Sequence, residues 1–262
     1  MRPVQRTNFA IMTNTHNDLN GFLDYWEAEG AAYAHAGDYA WMAEQVPAPL
    51  PTTKALEIGC GVGFGTQALL QRGFSVLAVD ALAECLTTTQ ARIARTEHTG
   101  EVRFLQADIA APDAATRQTI LDFQPQVVLC WLMGAPQETT GAAGKTDRAA
   151  SEAVAAYREK THRQIAELAA SLPEVVAVHL IDRTAIPWQA KDLGRDTLVR
   201  YHLFKTFVDL PFDAVRGDAL YRKLSGRAEA AGKLQSELRR AHPALKSVTP
   251  TLASLVLRRK AT

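Results

Sequence analysis

Cysteine is scarce in this sequence, with three residues in 262: Cys60, Cys85 and Cys130. An odd, widely spaced set among apolar neighbours forms neither a disulfide framework nor a metal-binding pattern. We therefore expect three reduced, packed thiols and no metal site. Apolar runs are short as well, and none approaches the roughly 18 residues of a membrane-spanning helix. We expect a soluble, unexported protein of the cytoplasm with no membrane partner.

An excess of one charge is also missing, because 29 Lys and Arg residues nearly balance 28 Asp and Glu residues. The balance is uneven along the chain, however. From Asp213 onward, eleven basic residues face four acidic ones. Such a region can indicate an anionic substrate or a nucleic acid, although a solvated helix face is the commoner explanation.

Three prolines, Pro47, Pro49 and Pro51, divide the chain. Because proline interrupts helices, they separate an N-terminal helical segment, residues 1–50, from a main domain, residues 51–262. With 47% hydrophobic residues, the main domain is long enough to bury a full core.

Predicted strands and helices alternate along this domain. Apolar runs predict strands at 55–58, 75–79, 102–106, 126–132 and 174–182. Helical spacing and helix end signals predict helices at 65–72, 83–95, 112–123 and 150–172. A polar loop is expected at 134–147, a helix or a strand at 198–208, a helix at 221–241 and a closing strand at 252–257. Regular alternation indicates an α/β fold with a parallel sheet.

Glycines occupy alternate positions, Gly59, Gly61 and Gly63, where the first strand gives way to the first helix of the domain. Only glycine lets a backbone turn this tightly and approach a ligand closely. The N-terminus of the following helix presents free N–H groups and favours an anionic group nearby. This turn is therefore the best candidate for a cofactor site.

A dinucleotide site would require the pattern Gly-x-Gly-x-x-Gly. Counted from Gly59, the sixth position is Phe64, and counted from Gly61 it is Thr66. The dinucleotide pattern fails in both registers.

The remaining pattern, Glu-x-Gly-x-Gly-x-Gly, closely resembles the first motif of class I S-adenosylmethionine-dependent methyltransferases, and the resemblance extends over 55–183. It implies a doubly wound, mostly parallel sheet of seven strands. It also implies that the backbones of Gly59, Cys60 and Gly61 lie against the amino acid portion of S-adenosylmethionine. Glu57 is then the acidic residue that steadies the turn or contacts the ligand through water.

Two aspartates follow later predicted strands. Asp80 lies 19 positions after Gly61, and a carboxylate there can accept both hydrogen bonds of a ribose diol. Asp108 matches the family position at which an acid meets the adenine amino group, while its apolar neighbour Ile109 covers the ring. Each aspartate has an alternative role as a helix cap.

The residues for the methyl acceptor carry a weaker signal. The segment after the fourth strand lacks the Asn/Asp-Pro-Pro-aromatic sequence of nucleobase amine methyltransferases, so base methylation of DNA is not expected. Trp131 can line the cofactor or acceptor site, or belong to the core. Asp182 is the nearest candidate for a catalytic base or a substrate contact.

The N-terminal segment is rich in aromatic residues, among them Tyr25 and Tyr33. In small-molecule methyltransferases, comparable helices fold over the cofactor as a lid, and aromatic rings suit a sulfonium. Tyr25, Tyr33 and Trp131 are therefore candidate substrate contacts, although the rings could equally attach a helix to the domain.

Three functional hypotheses follow. The leading one is S-adenosylmethionine-dependent methyl transfer to a small molecule. The second is methylation of RNA or protein through the basic C-terminal region, which would be strongly salt dependent. The third is a cofactor-binding protein without transfer activity, which the fold by itself permits. The oligomeric state stays open.

Overall fold

The computed structural model describes residues 19–224 and 248–260. The helix predicted at 221–241 is wrong in its first residues, which belong to a strand, and positions 225–247 lie outside the described residues. Five of the eleven basic residues of the C-terminal region lie there too. Among the described helices, none has the length and apolar character needed to cross a membrane.

The described chain alternates helices with strands. The α-helices are α1 (Leu19–His35), α2 (Asp38–Glu44), α3 (Phe64–Gln71), α4 (Ala83–Ile93), α5 (Ala114–Phe123), α6 (Gln137–Thr140), α7 (Asp147–Ser171) and α8 (Lys191–Lys205). The strands are β1 (Lys54–Ile58), β2 (Ser75–Asp80), β3 (Val102–Gln106), β4 (Val127–Trp131), β5 (Ala177–Ile186), β6 (Phe212–Asp213), β7 (Ala219–Lys223) and β8 (Thr249–Arg259).

These strands form one mixed sheet in the order β3-β2-β1-β4-β5-β8-β6, with β7 also paired to β8. Strands β1 to β5 are parallel to one another, and β8 is antiparallel to β5. The predicted doubly wound, mostly parallel sheet is confirmed. It has eight strands within the described residues, but β7 pairs with residues 251–255 of β8 and β6 with residues 258–259. The two short strands therefore share one edge position, the seventh of the sheet.

Two apolar layers cover the sheet. Successive residues of one strand, such as Ala55 and Leu56, belong to different layers because successive side chains point to opposite faces. One layer includes Ile120 of α5 and Ile165 of α7, and the other includes Leu69 of α3. Helices thus lie on both faces, and the carboxyl ends of the parallel strands stay accessible at one edge, where open α/β sheets bind ligands.

Helices α1 and α2 pack on the layer that contains α3, where Met42 is fully buried. Three ion pairs join these helices to the rest of the protein. They link Glu27 to Arg92 of α4, Glu29 to Arg183 of β5, and Asp38 to Arg222 of β7. The N-terminal segment is therefore attached to three separate elements.

Three other predicted segments take the following conformations in the structure. Residues 198–205 belong to α8, which settles the helix or strand alternative in favour of the helix. The loop predicted at 134–147 contains the short helix α6. Strand β5 continues to Ile186, beyond the predicted end at 182, because β8 pairs with it over its full length.

Candidate active site

The glycine turn connects β1 to α3. Gly59, Gly61 and Gly63 have φ angles of 74°, 54° and 89°, in the left-handed region that favours glycine. A Cβ atom at Gly61 would meet no other atom within 4 Å, whereas one at Gly63 would lie 2.8 Å from the Thr89 side chain. Gly63 thus allows α4 to pack closely, and Gly61 presents bare backbone to open space.

The N–H groups of the turn are already used within the protein. Those of Gly59 and Cys60 donate to the carbonyl of Val79, at 2.8 and 3.1 Å. The N–H of Gly61 donates to Asp80. A ligand at this part of the turn would therefore contact the carbonyl groups and Cα atoms of the turn.

Glu57 lies beneath the turn, with only 3% of its surface exposed. Its Oε2 accepts a hydrogen bond of 2.6 Å from the Thr66 hydroxyl in the first turn of α3. A Cβ at Gly65 would overlap the other carboxyl oxygen, so glycine is needed there. Burial raises the pKa of Glu57 to about 8, which the Thr66 hydrogen bond partly opposes. Glu57 thus connects β1 to the start of α3.

Asp80 ends β2 and holds two backbone segments. Its Oδ2 accepts from Gly61 N–H at 2.9 Å, and its Oδ1 accepts from Leu82 N–H at 3.0 Å. The second bond holds Leu82, which is itself the N-cap of α4, so the helix-cap alternative for Asp80 does not apply. Each carboxylate oxygen has a further lone pair, so this role leaves room for a ribose diol.

Asp108 and Ile109 follow β3. Asp108 is exposed and its Oδ1 accepts from Ala110 N–H at 2.8 Å, while Ile109 is buried. The cap of α5 is Asp113, which accepts from Thr116 N–H at 2.7 Å. The helix-cap alternative for Asp108 therefore does not apply to α5.

A cleft along the sheet edge brings the predicted cofactor residues together. Its two adjoining parts share Gly59, Asp80, Leu82 and Gly134. All eight predicted residues line it: Glu57, Gly59, Cys60, Gly61, Asp80, Asp108, Ile109 and Trp131. Leu82 and Met133, which sequence reasoning missed, line it as well, although each lies within three residues of a predicted strand end.

Trp131 is both a core residue and a cleft wall. Its indole N–H donates to His179 Nδ1 at 3.3 Å, and His179 Nε2 lies 2.8 Å from the Ser254 hydroxyl. Burial lowers the pKa of His179 to about 3, so this imidazole stays neutral. Both of its nitrogens are satisfied, and His179 holds the Trp131 ring in place.

A second cavity adjoins the cleft. It is lined mainly by apolar and aromatic side chains, with two arginines: Tyr25, Trp26, Met133, Gly134, Ala135, Gln137, Thr140, Ala142, Ser151, Val154, Ala155, Tyr157, Arg158 and Arg183. Trp26 and Gly134 line both the second cavity and the cleft. A Cβ at Gly134 would overlap the Trp26 indole, so glycine is needed for this close contact. We call the place where Trp26 and Gly134 line both spaces the junction.

Not every predicted substrate residue reaches the second cavity. Tyr25 does, and its hydroxyl donates to Glu29 at 3.1 Å. Tyr33 is buried in edge contact with Tyr39 and lines neither the cleft nor the second cavity. Asp182 lies beside Arg158, 3.3 Å from its Nε, and is not part of the lining either.

Residues 55–137 match a family model described as a methyltransferase domain. This stretch runs from β1 to the start of α6 and contains the glycine turn, Asp80 and Asp108. The chain carries an S-adenosylmethionine-dependent methyltransferase domain of class I. No curated protein matches the sequence.

Several solved methyltransferase structures are similar to this domain. Magnesium protoporphyrin IX methyltransferase from Synechocystis PCC 6803, with bound SAM, is 16% identical over 90% of this chain and 84% of that one, with a TM-score of 0.45. The N-methyltransferase NodS from Bradyrhizobium japonicum WM9, in complex with S-adenosyl-L-homocysteine, is 11% identical over 85% of this chain and 86% of that one, with a TM-score of 0.45.

The cleft of the methyltransferase domain fits S-adenosylmethionine chemically. The bare backbone at Gly61 leaves space that a side chain would fill. Turn carbonyls are acceptors suited to an α-ammonium group, and the Asp80 carboxylate is an acceptor suited to a diol.

Proposed function

We propose that the methyltransferase domain transfers a methyl group to a small molecule bound in the second cavity. The observation that carries this proposal is the junction at Trp26 and Gly134, which line both the cofactor cleft and the second cavity. The second cavity measures about 310 Å³, which lies at the lower end of the range typical of small-molecule sites.

Each part of the cleft has a proposed role toward the cofactor. The carbonyls of the turn receive the amino acid portion, Asp80 binds the ribose hydroxyls, and Asp108 with Ile109 receives the adenine. Bound S-adenosylmethionine supplies a methyl group already activated by its sulfonium. The protein therefore has to align the acceptor and exclude water.

The N-terminal segment is the proposed lid over this junction. Trp26 of α1 stands between the cleft and the second cavity, and Tyr25 lines the second cavity. The guanidinium of Arg183 lies 5.0 Å from the centre of a Trp26 ring and also pairs with Glu29. These contacts hold α1 over the reacting groups, which is the arrangement that excludes water.

The described basic residues near the C-terminus support a small acceptor over a macromolecular one. Arg222 pairs with Asp38, and Arg258 pairs with Asp218. Arg259 donates to the backbone carbonyls of Ala169, Leu172 and Val175. These arginines therefore bind the protein's own acceptors, while five of the eleven basic residues of the region lie outside the described residues.

A labelling experiment tests the proposal. Purified protein is incubated with methyl-labelled S-adenosylmethionine and fractionated cell extract, with and without nuclease or protease. We expect label in the low-mass fraction, insensitive to both treatments. Label that nuclease or protease releases would instead identify a macromolecular acceptor, and no transfer despite cofactor binding would contradict a catalytic role.

A matched pair of variants locates the acceptor. Ala155 lines the second cavity, while its neighbour Ala156 is exposed on α7 and is not part of the lining. Ala155→Phe should reduce labelling and leave cofactor affinity unchanged, whereas Ala156→Phe should change neither. Equal labelling by the two variants would place the acceptor elsewhere.

A further inference from the structure

A separate cluster of ionisable side chains lies beside the second cavity and takes no part in the proposed transfer. His162 of α7, Asp182 of β5 and His202 of α8 each bring one nitrogen or oxygen atom into the cluster, and these atoms lie within 4.8 Å of one another. The side chains of both histidines are nearly inaccessible, at 2% and 3% exposure. The side chain of Asp182 is 21% exposed, which leaves a path from solvent.

The buried ring of His162 is the first observation that points to a metal site. Its Nε2 atom is buried and has no hydrogen-bond partner among the described residues, although Asp182 Oδ2 lies 3.8 Å away. Burial lowers the pKa of His162, so the imidazole is neutral and the contact is not a strong ion pair. A buried polar atom without a partner is costly and uncommon in folded proteins.

His202 has its tautomer set by Thr206. The Thr206 hydroxyl donates to the His202 backbone carbonyl at 3.2 Å, so its oxygen accepts from Nδ1–H of the His202 ring, 2.9 Å away. Nε2 of His202 therefore carries the lone pair. Metal-binding histidines are commonly oriented in this way, by a hydrogen bond on the nitrogen that does not bind the metal.

Asp182 lies beside a cation. Its Oδ1 faces Arg158 Nε at 3.3 Å, an ion pair without a hydrogen bond between these atoms, and its Oδ2 faces His162. One carboxylate oxygen is thus directed toward Arg158 and the other toward the histidines.

We propose that His162, Asp182 and His202 bind one divalent first-row transition metal ion, for which Zn²⁺ is the reference probe. Two imidazole nitrogens and one carboxylate oxygen suit Zn²⁺ or Fe²⁺ and do not suit Mg²⁺ or Ca²⁺, which prefer oxygen ligands. Bonds of about 2.1 Å to a tetrahedral ion bring ligand atoms roughly 3.4 Å apart. The three side chains therefore need only a small inward movement.

The ion would join α7 and β5, which both contribute to the wall of the second cavity, to α8. Arg158 and Arg183, which line that cavity, are each close in sequence to one of the proposed ligands. The ion would therefore stabilise this wall. No metal site is predicted from the sequence. Each proposed ligand lies 20 positions from the next, on a separate element, and this spacing matches no metal-binding motif.

Metal binding to the full chain tests this inference without reference to methyl transfer. Protein freed of any affinity tag and of metal by chelator treatment is titrated with Zn²⁺ in a calorimeter. We expect one ion per chain, and an affinity about tenfold or more lower in His162→Gln and His202→Gln. His98→Gln is the matched control, because His98 is exposed and distant in the chain, and this variant should bind like the wild type.

Co²⁺ provides a readout that does not depend on the variants folding well. The wild type with Co²⁺ should show visible ligand-field bands of a nitrogen and oxygen site, and Zn²⁺ should displace them and raise the melting temperature. No Zn²⁺ binding by the wild type would overturn the proposal. Unchanged binding by both histidine variants would do so too.

Discussion

The carboxylate of Asp80 holds the backbone of Gly61, whose N–H donates to Asp80 Oδ2 at 2.9 Å. A residue that ends β2 thereby stabilises the turn that follows β1, its neighbour in the sheet. Asp80 also supports the start of α4 through Leu82. In the proposed function it acts on the cofactor directly, through the ribose, and indirectly, through the shape of the turn.

Asp80→Asn should weaken S-adenosylmethionine binding by about 1 to 3 kcal/mol. The amide replaces an acceptor by a donor, so either the ribose or a backbone N–H loses its partner. Calorimetric titration measures the change, and Asp122→Asn is the control, because Asp122 is exposed on α5. An affinity equal to that of the wild type would refute the ribose role.

Gly134→Ala should disturb the junction of the two cavities. The added Cβ would overlap the Trp26 indole, and overpacking of this kind costs about 1 to 3 kcal/mol. Urea unfolding should show the lower stability, and labelling should show reduced transfer. Gly217→Ala is the control, since a Cβ there meets nothing within 4 Å, and equal behaviour of the two variants would contradict the expectation.

Glu57 should make stability fall with rising pH. Its pKa rises from 4.5 to about 8 on folding, because burial disfavours the charged form. Between these pH values the folded protein retains a proton that the unfolded chain has lost, so the free energy of unfolding decreases as pH rises.

Glu57→Gln should therefore gain stability relative to the wild type across this window, by on the order of a few kcal/mol. Urea unfolding at pH 5, 7 and 8.5, covering roughly this range, measures the difference. The exposed Glu101→Gln provides the comparison. A difference between Glu57→Gln and the wild type that stays constant with pH would show that Glu57 is ionised throughout.

Arg183→Gln should destabilise the attachment of α1 by about 3 kcal/mol or more, because it leaves the Glu29 carboxylate buried without its cation. The Glu29 side chain is 1% exposed, and Arg183 Nη1 donates to it at 2.5 Å. Arg148→Gln breaks the exposed pair with Glu152 and should cost under about 1 kcal/mol. Denaturant unfolding compares them, and similar losses would argue against a buried attachment.

The cofactor end of the fold was predictable because its signals are local. Strand β3 was predicted at its observed bounds, and the glycine positions anticipated the positive φ angles at Gly59 and Gly61. Apolar runs of four to seven residues and glycine turns report on backbone conformation directly. Asp80 and Asp108 could be placed together because parallel strands end at the same edge of a sheet.

Other features had no local signal. The last three residues of β7, 221–223, fall within the helix predicted at 221–241. They form a strand instead because Ala219–Lys223 pairs with β8. Tyr33 resembled Tyr25 in composition and position, yet only Tyr25 faces the second cavity. A one-dimensional pattern does not show which face of α1 meets the domain.

The sequence by itself determined the fold class and the glycine turn, which depend on short-range pattern and on the order of elements. The cofactor was implied by the resemblance of the turn motif to a known family. Only the tertiary structure decided where the second cavity lies and how Trp26 and Gly134 join it to the cleft. It also brought His162, Asp182 and His202 together. These groups are distant in the chain, and their proximity results from the packing of α1, α7, α8 and β5 around the sheet, which no local segment encodes.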